Sequence, residues 1–117
     1  MNPSKGEVRV VFSDGVERTW RLTGNDICGI QSIMEVRKDK KITFIQFISQ
    51  FVEWGADDYR LVLWTGLKHA DSSLTEDKVG ELMDLESMLQ FQSDFAAWTS
   101  RMIPESMKKK AAAEAPN

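Results

Sequence analysis

The sequence predicts an α+β fold: an N-terminal β-hairpin packed on a bundle of about four to five helices, in a single domain. Three observations predict it. Apolar residues alternate on either side of an Asp-Gly pair near the N-terminus. Further along, apolar residues recur at steps of three and four, the spacing of one helix face. Thr and Asp residues stand where those stretches begin, as helix caps do.

In the hairpin, Val8, Val10 and Phe12 alternate with Glu7, Arg9 and Val11, the pattern of a half-buried strand. Ser13-Asp14-Gly15 supplies the turn, because Gly accepts the positive φ that tight turns require. Val16, Arg18, Trp20 and Leu22 form the return strand, with Trp20 and Leu22 on the core face. Two strands alone are marginal in water, so helices must cover that face.

Thr23 or Asn25 caps a helix over 26–37 with Ile27, Ile30, Ile33 and Met34 as its apolar stripe. Gly29 weakens this helix by about 1 kcal/mol relative to Ala and is expected to let it approach the hairpin. Residues 37–41 form a basic loop. Thr43 then caps the segment 44–54, which carries Phe44, Ile45, Phe47, Ile48, Phe51, Val52 and Trp54. Its β-branched and aromatic content suits a strand, but the spacing 44, 47, 48, 51 favours a helix. Apolar on nearly every face, it is either central to the core or partly exposed for docking. Gly55 is expected to end it as a C′ residue.

Asp57 and Asp58 suit a helix N-terminus, where exposed N–H groups favour negative charge. Tyr59, Leu63, Leu67 and Ala70 share a face, and Lys68 and His69 fall in the last turn. After Ser72-Ser73, Thr75 caps a second helix that buries Val79, Leu82 and Met83. The last helix, 86–103, carries Met88, Phe91, Phe95, Trp98 and Met102 at steps of 3, 4, 3 and 4. That seam reads as core or helix–helix contact ahead of a cofactor pocket, and Pro104 stops the helix. Residues 1–5 and 104–117 are expected to be flexible ends around a domain spanning 6–103.

Composition narrows the function classes. The 117 residues are 42% hydrophobic and 28% charged, enough for one core without staples. A formal net charge of −3 argues against nucleic acid as a partner, since phosphate contacts need a basic face. No stretch of about 18 apolar residues suggests a membrane span, and MNPSKGEVRV has no apolar secretory region. Cys28, the lone cysteine, cannot form an internal disulfide. Charge is unevenly spread: seven acids lie between Asp71 and Asp94 against Lys78 alone, while four of the five residues 37–41 are basic. This reads as solvated faces, or as an acidic face that steers a basic partner.

Catalytic and metal chemistry find little footing. His69 and Cys28 with carboxylates make a poor zinc set. His69 has no serine client and is expected to bond free carbonyls at a helix end. Asp57 and Asp58 point about 100° apart on a helix, and capping explains them better than paired acid–base work. Gly66 and Gly80 sit inside helices, where close packing is their expected role, and no Gly-rich phosphate loop follows a strand. The sequence therefore predicts neither an enzyme nor a cofactor.

The run Leu63-Trp64-Thr65-Gly66-Leu67-Lys68-His69, then Leu74-Thr75 and Lys78-Val79-Gly80-Glu81-Leu82, resembles the signature of small phage tail proteins. These are the tail assembly chaperones and the related gene-transfer-agent tail family, with an LLWAGLRH…LT…EVGEL-like core. The likeness joins a Trp, two Gly and a His at fixed offsets over about a quarter of the chain, with a weaker echo at Arg21-Leu22-Thr23. It implies a protein of the host cytoplasm that coats the helical tape-measure protein, keeps it soluble and recruits tail-tube subunits, with no catalytic residues. Its gene-transfer-agent branch also admits a rival, a tube or completion protein retained in the particle. A tube subunit, however, usually needs a larger sheet than two strands.

Partner binding falls to the large apolar groups. Four Trp, six Phe and six Met are a generous supply for this length. The expected partner-binding residues are Phe44, Phe47, Phe51, Trp54, Trp64, Met88, Phe91, Phe95, Trp98 and Met102. A groove between the 44–54 segment and the 88–102 seam would accept a partner helix. If two copies associate, the aromatic 44–54 segment is the expected contact.

Overall fold

Trp20 organises the packing of the computed structural model, which describes residues 6–102. Strands β1 (Glu7–Val11) and β2 (Glu17–Arg21) pair antiparallel, with Val8 opposite Trp20 and Val10 opposite Arg18. The predicted face is the buried one: Val8, Val10, Phe12 and Trp20 are all interior. At the turn Gly15 takes φ 74° and donates to the Phe12 carbonyl at 3.0 Å. The Asp14 carboxylate accepts from the Val16 N–H and from Arg18, two contacts that hold it below the usual carboxylate range.

Helix α1 (Gly24–Lys38) starts at Thr23, whose hydroxyl accepts from the Asp26 N–H while Asp26 accepts from the Thr23 N–H, a reciprocal capping box. It buries Ile30 and Met34, but Ile33 and Val36 face outward. Nothing lies within 4 Å of a Cβ at Gly29, so the expected approach to the hairpin does not occur there. Asp39 ends the helix in the left-handed conformation, φ 51°.

The 44–54 segment departs from expectation in its length. Helix α2 (Phe44–Ser49), capped by Thr43, stops at Gln50, and a 3₁₀ turn (Phe51–Glu53) follows. Gly55 is not its C′ residue: with φ −72° and ψ 169° it is the N-cap of the next helix. The break has a packing reason. With the turn in place, the Phe51 and Trp54 rings both stand against Phe95, at 5.3 and 5.2 Å between centroids.

Helix α3 (Ala56–Leu67) is central. It packs on α1, β2 and the short helix α4 (Glu76–Leu82), and buries Tyr59, Leu61, Val62, Leu63, Thr65, Gly66 and Leu67. Ala70, expected on its buried face, lies beyond its end and is exposed. Helix α5 (Leu85–Met102) runs back along β1, its start tied by reciprocal Asp84–Ser87 bonds. Its Phe91, Phe95 and Trp98 rings meet Trp20 edge-on at 5.1, 6.0 and 5.5 Å. Edge-to-face contacts of this kind add about 0.5–1.5 kcal/mol each beyond area burial. Pro104 and the expected flexible ends lie outside the described residues.

Candidate interaction surfaces

The stretch that carries the likeness to tail proteins folds as one corner, from α3 through a polar turn into α4. Gly66 lets α3 lie directly on the hairpin: a Cβ there would stand 2.2 Å from Trp20 Nε1. That indole N–H donates to the Val62 carbonyl at 2.9 Å, so one ring both fills the core and satisfies its polar atom. Gly80 plays the predicted close-packing role too, with Arg60 Cδ 2.9 Å from where its Cβ would be. The Trp64 indole donates to the Leu74 carbonyl at 3.0 Å across the turn, and Lys68 lies over its ring at 5.0 Å. The Thr75 hydroxyl accepts from the Lys78 N–H as the predicted cap. Leu63, Leu67, Leu74 and Val79 are buried. The apolar motif residues build the corner, while His69, Thr75, Lys78 and Glu81 of the same run are exposed.

His69 does not bond helix-end carbonyls. Its Nε2 reaches the Asp26 carboxylate at 2.5 Å, joining the corner to the start of α1. Asp26 is only 7% exposed. Burial pushes its carboxyl up, but hydrogen bonds from the Thr23 N–H, His69 and the Thr23 hydroxyl outweigh this and hold it below the usual carboxylate range. Other fasteners are ionic. Glu76 takes Arg37 at 3.0 Å and Arg60 at 3.4 Å, and the buried Asp58 takes Lys38 and the Gly55 N–H, each at 3.0 Å.

The aromatic set expected to bind partners is mostly turned inward. Phe47, Phe91, Phe95 and Trp98 are buried, and Phe51, Trp54, Trp64 and Met88 are half-buried. Met102 is 42% exposed. The side chain of Phe44 lies outside the described residues. The groove expected between the 44–54 segment and α5 is filled, because Phe51 and Trp54 stand against Phe95.

Exposed apolar groups lie elsewhere. Leu85 and Leu89 project from α5, and Val36 with Ile33 from α1. Sequence reading of the 88–102 seam passed over Leu85 and Leu89. The available signal was their four-residue step, off the face of Phe91 and Phe95. The acidic sector is partly spent inside the fold. Glu76 is ion-paired, Asp71 accepts from Ser73, and Asp84 is held below the usual carboxylate range by the Ser87 N–H and hydroxyl. Asp77, Glu81 and Glu86 remain exposed. An open groove of about 400 Å³ runs between β1 and α5, with Arg9 and Val11 on one wall and Asp84, Glu86 and Asp94 on the other.

Among the described residues no three His, Cys, Asp or Glu side chains cluster to hold a metal, and no helix is long and apolar enough to cross a membrane. Compared with known proteins, the chain matches no protein-family model, no curated protein and no solved structure.

Proposed function

We propose that this chain is a phage tail assembly chaperone of the host cytoplasm, which binds the tape-measure protein and helps recruit tail-tube subunits during tail morphogenesis. The observation that carries the reading is the run from Leu63 to Leu82, where Trp64, Gly66, His69, Thr75 and Gly80 stand at the offsets of the family signature. Its support from the fold is indirect. The signature residues act as one structural unit, in which Gly66 meets Trp20 and Trp64 meets Leu74. A corner built this way suits a small binding domain in which the buried signature residues hold the fold and exposed side chains meet the partner. An exposed acidic sector, with Asp77, Glu81 and Glu86, would steer a basic partner.

Co-expression tests the binding step. The tape-measure protein made alone is expected to be insoluble, and made with this chain it should remain soluble and co-purify with it. A tape-measure protein that stays insoluble in both cases, with none of this chain bound, would overturn the proposal.

A further inference from the structure

The hairpin turn holds the one Asp-Gly pair of the chain, Asp14-Gly15, and the sequence has no Asn-Gly. Such a pair is chemically labile. Gly has no side chain to shield its own amide nitrogen, which can attack the γ-carbon of the preceding Asp. The N–H proton and the carboxyl hydroxyl leave together as water, and a five-membered cyclic imide forms. Water then opens the ring at either carbonyl. Opening at the γ-carbon restores Asp. Opening at the main-chain carbonyl leaves isoaspartate, with the backbone rerouted through the side-chain carbons. The first step needs a protonated carboxyl, since a carboxylate has no hydroxyl to lose, and an Asp ψ that swings the next nitrogen towards the γ-carbon.

The fold opposes both requirements. Each oxygen of the Asp14 carboxylate takes one arm of the Arg18 guanidinium, at 3.3 and 3.0 Å, and the Val16 N–H adds a third bond at 3.1 Å. A two-armed fork of this kind favours the anion. Arg18 is itself fixed in place. Its side chain is 11% exposed, Asp71 lies 3.9 Å from its Nε, and the guanidinium stands over the Phe12 ring. The backbone supplies the second obstacle. The bond from the Gly15 N–H to the Phe12 carbonyl closes a four-residue turn with Ser13 and Asp14 at its centre. Positive φ among the described residues falls on Asp39 and Gly15, so Asp14 is negative and the turn is type I, with ψ near 0° at Asp14. Ring closure needs that ψ rotated by roughly 120°, which would break the Gly15 bond and pull the carboxylate off Arg18.

We propose that Asp14 is a latent site of isoaspartate formation, guarded in the folded chain by Arg18 and by the type I turn. Opening the hairpin removes both guards at once: the carboxyl can take a proton and ψ can rotate. The product then works against refolding. Isoaspartate adds an atom to the main chain inside the loop that sets Val11 opposite Glu17, and that register places Trp20 in the core. The modification requires water and no other reactant, and it stands apart from the reading of the chain as a chaperone.

Peptide mapping of the full chain after long incubation in mildly acidic buffer reads this directly. Isoaspartate is scored by enzymatic methylation and by resistance of the Ser13–Asp14 bond to a protease that cuts before Asp. The folded wild-type chain should convert at residue 14 at least about tenfold more slowly than the same chain unfolded in guanidinium chloride at the same pH. Arg18→Ala, with circular dichroism reporting the fold, should convert faster than wild type. Arg18→Lys keeps the charge but loses the fork, and should fall between them. Should Arg18→Ala fail to fold, Arg18→Lys and the comparison of folded with unfolded wild type decide the matter. Equal rates in folded and unfolded wild type, a folded Arg18 variant that converts no faster than wild type, or isoaspartate that builds up at other positions and not at residue 14 would each overturn the proposal.

Discussion

Helices α3 and α5 both carry long runs of large apolar residues, but the fold uses them differently. Helix α3 is enclosed by α1, β2 and α4, and three consecutive residues, Leu61, Val62 and Leu63, have no exposed surface. Helix α5 buries one face through Phe91, Phe95 and Trp98 and leaves Leu85 and Leu89 in solvent. What α3 leaves outside is mainly its first turn and the half-buried Arg60 and Trp64, so its apolar residues serve the core. On this comparison the buried residues of the signature corner maintain the fold, and the outer face of α5 leaves two leucines in solvent.

The largest expected effect comes from emptying the centre of the enclosed region. Trp20→Ala removes the ring that touches α3 and three α5 aromatics, and should cost about 3–5 kcal/mol by denaturant unfolding. A loss under about 1 kcal/mol would break the comparison at its root. Next comes Gly66→Ala, whose methyl must displace Trp20 or lift α3 from the hairpin, at about 1–3 kcal/mol. In a Trp20→Leu background that cost should shrink, because the obstructing indole is gone. Equal costs in both backgrounds would show that Gly66 is needed for some other reason.

A smaller effect, with a pH signature, is expected at Asp26. Replacing it by Ala removes the capping-box acceptor and the His69 contact, for about 1–2 kcal/mol at neutral pH. Because the folded carboxyl lies below its ordinary value, it stabilises the fold at pH values above that ordinary value. That stability is lost as pH falls through the lowered folded value. The gap between wild type and Asp26→Ala should therefore close in strong acid, and a gap constant down to pH about 2 would contradict the assignment. The smallest effect on stability belongs to Leu89→Lys, within about 0.5 kcal/mol of wild type. A larger loss would mean that the α5 outer face is structural after all.

Much of this fold was legible because its signals are local. The alternation from Val8 to Phe12 and the caps at Thr23, Thr43 and Thr75 depend on neighbours within a few residues, and the structure shows each of them. What escaped depends on residues far apart in the chain. His69 finds Asp26, 43 positions away, so no local rule could favour it over helix-end carbonyls. The stop at Gln50 goes with ring contacts to Phe95, more than 40 positions away, which the 44–54 segment itself does not encode. Which large apolar residues stay exposed was the least legible part. Aromatic abundance drew attention to rings that the core absorbs, while two ordinary leucines carry the exposed face.

Quantitative mass spectrometry of infected lysate and of purified particles tests the proposed function most directly. A tail assembly chaperone should be abundant in the lysate and lost from finished particles. Retention at tens of copies per particle would contradict it, and the chain would then be a building block of the tail.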